Sequence, residues 1–448
     1  MSVLKYHQQT PRYTSYPTAP FWGEISSMQC SDALQKIGDE PLSLYFHIPF
    51  CKTMCLFCGC SVILNRKEEN ESAYVEFLKK EIALVSSCLG SRKKVLQLHF
   101  GGGTPTKLSS PLLTTLLETI SEHFEVDFSG EIAIEVDPRT VFEDGGEKLH
   151  DLRKLGFNRV SFGVQDTNLK VQEAIKRHQS YEMTKTTFFL AKQLQFQGIN
   201  VDLIYGLPYQ NKESFTQTVE EILMLRPDRI ALFSYAKIPW LKKHQKAIAE
   251  EWLPSTEEKF AIYENARKAF IDSGYIAIGM DHFALPHDEL AISYKNKTLQ
   301  RNFQGYTVKR ADTTLGFGVT AIGFAQNMYM QNHKELKSYY EALEKNILPV
   351  LRGKALTAQD CLRKWVIHTL MCHFELDKAQ FSEKFKEDFD LYFTTLSAHL
   401  YKLEEEGLIT NTKIALKVTP LGELFVRNIA VIFDAYLPEQ TQKFSYSI

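Results

Sequence analysis

Six short runs of β-preferring residues, each closed by glycine or a polar residue and separated by stretches of helical length, constrain this chain more than any other feature. They cover 42–48, 95–100, 131–136, 159–164, 200–205 and 229–235. The closing residues include Gly101-Gly-Gly103, Asp137-Pro138, Gln165 and Gly206-Leu-Pro208. Parallel neighbours need a long crossover, so alternating strand and helix predicts a parallel sheet, closed or nearly closed into a barrel. The expected fold is α/β, a partial (β/α)6 TIM-like barrel. In such barrels chemistry sits at the C-terminal ends of the strands, where these glycines and polar residues fall.

After about residue 350 the pattern changes. Helical segments at about 357–373 and 380–405 lead into a hairpin over 406–418, and Thr419-Pro420 opens another helix. Helix, hairpin, helix predicts a mainly helical, winged-helix-like unit. The expected division is an N-terminal segment over 1–40, a barrel over 41–350 and this domain over 351–448. Winged helices often bind DNA, but 52 basic against 54 acidic residues leave no electrostatic footprint for nucleic acid. The domain therefore reads as a lid or cap. No apolar run reaches the roughly 20 residues that cross a bilayer, and the first residues lack the apolar core of a secretory signal. A soluble, cytoplasmic protein is expected, in a compartment that keeps thiols reduced.

The loop after the first strand reads Cys51-Lys-Thr-Met-Cys55-Leu-Phe-Cys58, a C-x3-C-x2-C spacing, with Cys60 two residues on. Thiolates are the usual ligands of iron–sulfur clusters. Three of them hold three irons of a cubane and leave the fourth open to a substrate or cofactor, as a catalytic metal site requires. Zinc sites usually repeat a C-x2-C pair, and no second pair exists here. A disulfide framework suits small secreted domains rather than 448 residues. Cys30, Cys88, Cys361 and Cys372 stand singly and read as small apolar residues. Cys60 is open between fourth cluster ligand and active-site thiol.

Other strand-end residues carry weaker signals. Gly101-Gly-Gly103-Thr104 can expose amides to an anionic group, or simply turn the chain. Glu135 and Asp202 can bind ribose hydroxyls or an ammonium, or pair with a neighbouring strand. Gln165 and Arg177 are undecided taken singly. Tyr45 and His47, two apart on a strand, share a face, so His47 either handles a proton or orients its neighbours.

With these residues in place, the chain resembles the radical S-adenosylmethionine superfamily, on the cysteine loop and Gly101-Gly-Gly-Thr-Pro105. Over nearly its whole length it is similar to one family within it, the oxygen-independent coproporphyrinogen III oxidases. Pro11-Arg-Tyr-Thr-Ser-Tyr-Pro-Thr-Ala19, Phe57-Cys-Gly-Cys60, Ile134-Glu-Val-Asp-Pro-Arg139, Asp202-Leu-Ile-Tyr-Gly-Leu-Pro208 and Arg301-Asn-Phe-Gln-Gly-Tyr-Thr307 carry that likeness. Leu56 and Ser61 depart from the family's common tyrosine and asparagine.

The resemblance implies a [4Fe–4S] cluster on Cys51, Cys55 and Cys58 and two S-adenosylmethionine molecules per chain. The first would touch Tyr45, Gly102, Glu135, Ala236 and Ile322. The second would lie against Phe57, Gly103, Thr104, Gln165, Arg177 and Asp202. It also implies catalytic roles for Tyr45, His47, Cys60 and Glu135, and a flap around Tyr13 and Tyr16. The implied reaction is anaerobic decarboxylation of two propionates of coproporphyrinogen III to vinyl groups through a 5′-deoxyadenosyl radical, giving protoporphyrinogen IX in haem biosynthesis. Arg12 and Arg301 are candidates to pair with substrate carboxylates. A reduced flavodoxin or ferredoxin-type donor and a monomeric chain are expected.

Two rivals belong to the same superfamily, a haem-binding chaperone and a haem-degrading enzyme. The chaperones typically lack the Tyr-Thr-Ser-Tyr-Pro segment and the Cys-Gly-Cys thiol, both present here. A third rival is an electron carrier with Cys60 completing the cluster.

Overall fold

The computed structural model of the chain describes residues 3–65, 67–308, 311–437, 444 and 446. The extreme ends of the two outer expected segments, 1–2 and most of 438–448, lie outside the described residues. Six strands follow the predicted order: β1 (Leu42–Ile48), β2 (Lys94–Gly102), β3 (Glu125–Val136), β4 (Arg159–Gln165), β5 (Gly198–Tyr205) and β6 (Arg229–Ser234). Each pairs in parallel with the next. Helices such as Glu68–Cys88, Ser110–His123, Tyr181–Gln193 and Lys212–Leu225 make the crossovers.

The strands have two chemically different faces because side chains alternate with period two. On β1, Leu42, Leu44, Phe46 and Ile48 are buried in the main apolar core. Leu98 and Phe100 of β2, Ile132, Ile134 and Val136 of β3, and Val160 and Phe162 of β4 continue it. Each such side chain contributes roughly 1.5–3 kcal/mol on burial. The intervening residues, Tyr45, His47, Glu135, Ser161 and Asp202, line internal cavities. The apolar face holds the sheet to its helices, which frees the inner face for polar groups.

Among the described residues the sheet has thirteen strands, more than the sequence pattern suggests. A seventh parallel strand, β7 (Thr313–Phe317), pairs with β1 on the side away from β2. Three antiparallel strands extend that side: β8 (Ile322–Ala325), β9 (Met328–Asn332) and β10 (Val350–Ala355). Gly23–Glu24 caps this edge against Arg352 and Gly353. On the other edge, His282–Ala284 and Ile276–Ile278 pair antiparallel beyond β6. These edge strands are two to six residues long, too short for a clear alternation. Among the described residues the two edges do not pair, so the barrel is open.

A second apolar core lies in the C-terminal part. Ala358–His373, Lys378–Phe385 and Ser397–Glu405 surround a three-stranded sheet of Glu375–Asp377, Ala415–Val418 and Ile409–Asn411. This is the winged-helix-like arrangement. The single helix expected over 380–405 is in fact broken. Lys386 adopts φ +60° and ends one helix, and the Asp388 carboxylate caps the next. Tyr6, Tyr13 and Tyr16 belong to this second core, whereas Cys30, Leu34 and Ile37 belong to the first. The N-terminal segment is therefore built into both.

Buried Glu81 ties the β7–β8 region to helix Glu68–Cys88. It accepts hydrogen bonds from Gly318 N (2.7 Å), Asn332 Nδ2 (2.6 Å) and Tyr339 OH (2.6 Å). Burial raises its carboxyl to about 7, against the pull of these donors. Glu81→Ala takes the acceptor from buried Gly318 N and Tyr339 OH and one of two from Asn332 Nδ2, which keeps Gly318 O, and a stability loss of about 2–4 kcal/mol is expected in chemical denaturation.

Candidate active site

The cysteine loop folds back against the end of β2. Phe50–Cys51 pairs in parallel with Ile63–Leu64, so the loop closes on itself. Gly103 N donates to Ile48 O (2.8 Å), joining the ends of β1 and β2. No side chain fits at Gly103, because a Cβ there would lie 2.6 Å from Pro49 O. Gly102 has φ +123°, and its Cβ would meet the His47 ring at 2.8 Å. The glycines are thus required by the close approach of the loop backbone.

Other elements grip the loop through its backbone. Leu56 N donates to Ile175 O (2.9 Å). Gln245 Nε2 donates to Phe57 O (2.9 Å), His244 Nε2 to Cys58 O (2.8 Å) and Lys242 Nζ to Cys60 O (2.7 Å). His47 Nε2 donates to Ser61 O (3.0 Å), which leaves Nδ1 to accept from Tyr45 OH (3.2 Å). Burial lowers the His47 pKa, which favours this neutral form. Of the two readings of His47, the geometry supports orientation of its neighbours.

Cys51, Cys55, Cys58 and Cys60 are all free thiols that line one cavity of about 360 Å³. Cys51 Sγ lies 3.2 Å from Thr104 Oγ1, and burial raises this thiol to about 11. A hydrogen bond with Cys60 brings Cys58 down to about 7 and raises Cys60. Cys55 Sγ lies 3.7 Å from Arg177 Nη1 and 3.9 Å from Arg139 Nη2. Both guanidiniums also bind Asp137. Burial raises Asp137, but Arg177 and Arg139 outweigh it and hold the carboxylate at about 2. Arg177 further donates to Gly163 O (2.5 Å) and Gln179 Oε1 (3.0 Å).

Among the described residues no three His, Cys, Asp or Glu side chains converge on a single ion. A cubane asks for a different arrangement, one thiolate on each of three irons. Three thiols around a shared cavity, with glycine backbone beside them and two guanidiniums to offset cluster charge, fit that group.

Phe57, Gly102, Gly103, Thr104, Gln165, Arg177, Asp202 and Ala236 line the same cavity. Asp202 accepts from Ser161 Oγ (3.0 Å) and Asn200 Nδ2 (2.7 Å). Burial, and then the Glu135 charge, raise it to about 6. Tyr45, His47 and Ile322 line a second, larger cavity of about 860 Å³. Glu135 lines both and accepts from Gly102 N (3.0 Å). The residues expected to hold the cluster and S-adenosylmethionine therefore all border one of two cavities that meet at Glu135, whereas Gly101, Tyr13 and Tyr16 border neither.

Several contributors carried no individual signal. Asp137 and Arg139 stand in the Ile134-Glu-Val-Asp-Pro-Arg139 motif, where the end of a strand is their sequence signal. Lys242, His244 and Gln245 act through backbone carbonyls and lie in a segment with no pattern of its own. Cys30 and Cys372 are buried as expected, whereas Cys88 and Cys361 are half-buried and Cys361 borders the second cavity.

Comparison with known proteins matches residues 45–222 to the radical SAM superfamily model and 356–425 to the HemN C-terminal domain model. Oxygen-independent coproporphyrinogen III oxidase of Synechocystis is 42% identical, over 99% of this chain and 96% of its own length. That of Helicobacter pylori strain J99 is 43% identical, over 99% and 98%. The chain belongs to the oxygen-independent coproporphyrinogen III oxidase family. The solved coproporphyrinogen III oxidase from Escherichia coli, described as a radical SAM enzyme, superposes with a TM-score of 0.91 at 39% identity, covering 96% of this chain and all of that one. The family implies a [4Fe–4S] cluster and S-adenosylmethionine. No helix among the described residues is long and apolar enough to cross a membrane.

Gly103 offers a test of the loop packing. Gly103→Ala drives a Cβ into the Pro49 carbonyl, and overpacking of this kind costs about 1–3 kcal/mol. The expected result is a lower unfolding temperature and reduced iron content after reconstitution, measured by calorimetry and iron assay.

Proposed function

We propose that this chain catalyses oxidative decarboxylation of two propionates of coproporphyrinogen III to vinyl groups, giving protoporphyrinogen IX in haem biosynthesis. The observation that carries the reading is the cysteine cavity opening beside a larger one at Glu135, within a family match along the whole chain. Each propionate loses a hydrogen atom, carbon dioxide and one further electron. The cluster and S-adenosylmethionine, when bound, supply the one-electron chemistry that starts the hydrogen removal.

The chain's own residues hold, orient and exclude. Cys51, Cys55 and Cys58 are the cluster ligands in this proposal, and Cys60 is an active-site thiol. Tyr45, Gly102, Glu135, Ala236 and Ile322 hold one S-adenosylmethionine. Phe57, Gly103, Thr104, Gln165, Arg177 and Asp202 hold a second. His47, neutral and tied to Ser61 O, fixes the Tyr45 hydroxyl and the end of the cysteine loop. Glu135 receives the Gly102 amide, which sets its carboxylate between the cavities.

The expected division into segments 1–40, 41–350 and 351–448 enters the proposal as a closed site. Arg12, held by Ser234 O at 2.8 Å, borders the first cavity and Thr14 the second. The N-terminal segment thus shields both. A cytoplasmic, monomeric enzyme that takes electrons from a reduced flavodoxin or ferredoxin-type donor completes the proposal.

Anaerobic incubation of the reconstituted protein with coproporphyrinogen III, S-adenosylmethionine and a reductant should yield divinyl product with two equivalents of 5′-deoxyadenosine. Absence of vinyl product from cluster-loaded protein rejects the assignment. In the same assay Cys60→Ser should keep its iron and lose turnover; iron loss would make Cys60 a ligand.

Two S-adenosylmethionine molecules should bind per chain in equilibrium dialysis, falling to one in Asp202→Asn. Asp202 is raised to about 6, so it is protonated below that pH and ionised above it. Binding of the second molecule should therefore weaken as pH falls through 6 and level off above 7. A stoichiometry of one in the unaltered protein would remove the second site.

A further inference from the structure

The second cavity has a wall that no role yet covers. Helix Ala358–His373 of the C-terminal domain presents Cys361, Lys364, Trp365 and His368 to it. These positions follow i, i+3, i+4 and i+7 spacing, so they form one face of the helix. Strand β8 and β9 supply Phe324 and Tyr329 opposite.

The cations around this cavity differ in how they are satisfied. Lys297 pairs with Glu375 at 2.6 Å. Arg301 is buried, 3.9 Å from Asp281, and lies over the Tyr306 ring. Lys384 is exposed to water. Lys364 is half-buried and has no ion pair among the described residues. Its Nζ lies 3.5 Å from the centre of the Phe324 ring and 5.3 Å from that of Tyr329. Asp312 borders the same cavity and its charge reaches Lys364, but the two form no direct ion pair among the described residues. Burial lowers the Lys364 pKa to about 8, and the more distant charges of Cys361 and Asp312 offset only part of that.

An ammonium in that position fits a ligand that brings its own anion on a flat apolar body. The cavity volume of about 860 Å³ and its aromatic side chains suit such a body. We propose that the second cavity receives the four-carboxylate tetrapyrrole ring and that Lys364 pairs with one of its propionates. This rests on the proposed function and adds where the ring sits and what holds it. Glu135 borders this cavity as well as the cysteine cavity, so a ring bound here has access to the reactive junction. The C-terminal domain then acts as the substrate-binding wall.

Coproporphyrin III, the fluorescent oxidised ring with the same four propionates, serves as the probe, with its tetramethyl ester as the uncharged control. Both are titrated into reconstituted protein and followed by fluorescence. Lys364→Gln should weaken coproporphyrin III binding ten- to a hundredfold, the range of a lost charge-assisted contact, and should leave ester binding unchanged. Lys364→Arg should stay within a few-fold of the unaltered protein, which separates charge from folding. Equal affinity for coproporphyrin III in Lys364→Gln overturns the proposal, as does an equal loss for the ester. Turnover of coproporphyrinogen III by Lys364→Gln at unchanged KM overturns it while sparing the proposed function. Lys364-dependent binding without any vinyl product does the reverse.

Discussion

The site depends on the backbone grip on the cysteine loop. The loop that carries its thiols is held in place through its peptide groups. Gly103 N binds Ile48 O, Leu56 N binds Ile175 O, and the carbonyls of Phe57, Cys58, Cys60 and Ser61 each receive a side-chain donor. Two separate regions of the chain, His47 and the segment 242–245, supply those side-chain donors. Loop carbonyls that would otherwise need water are satisfied by protein, so the loop sits in a cavity wall without paying the penalty of unpaired buried groups.

The same economy of groups shapes the barrel interior. Apolar residues on alternate strand positions secure the sheet to its helices, and polar residues between them face inward. Asp202 and Glu135 therefore stand in a confined, partly dry space, and the raised Asp202 pKa is the electrical consequence. Asp137 shows the opposite outcome. It is as buried as Asp202, but two guanidiniums reach it and hold it ionised. Neighbouring carboxylates of one rim differ in charge behaviour because only one has cationic partners.

The two cores are joined by the N-terminal segment. Tyr13 OH donates to Asp434 (3.0 Å), and Tyr16 OH accepts from Ala435 N (3.1 Å), on the side of the second core. Arg427, in turn, donates to Pro11 O (3.0 Å). Residues 23–37 meanwhile lie along the first core and the sheet edge. Access to both cavities is thereby coupled to packing of the C-terminal domain, whose helix Ala358–His373 borders the larger one.

Local patterns along the chain were enough for the six parallel strands, the cysteine loop after the first of them, and the rim on which its residues lie. Each of these follows from local patterns: period-two apolar runs, helical spacers and cysteine spacing, which neighbours within a few residues enforce. Tertiary structure decided the rest. β7 to β10 are short and nearly featureless in sequence, and become strands only because the edge of β1 offers them a partner. Lys242, His244 and Gln245 matter through contacts with carbonyls some 180 positions away. The meeting of two cavities at Glu135 needs β1, β3 and β8 gathered into one sheet, with β2 and β7 between them, an arrangement that long-range pairing creates and no local pattern encodes.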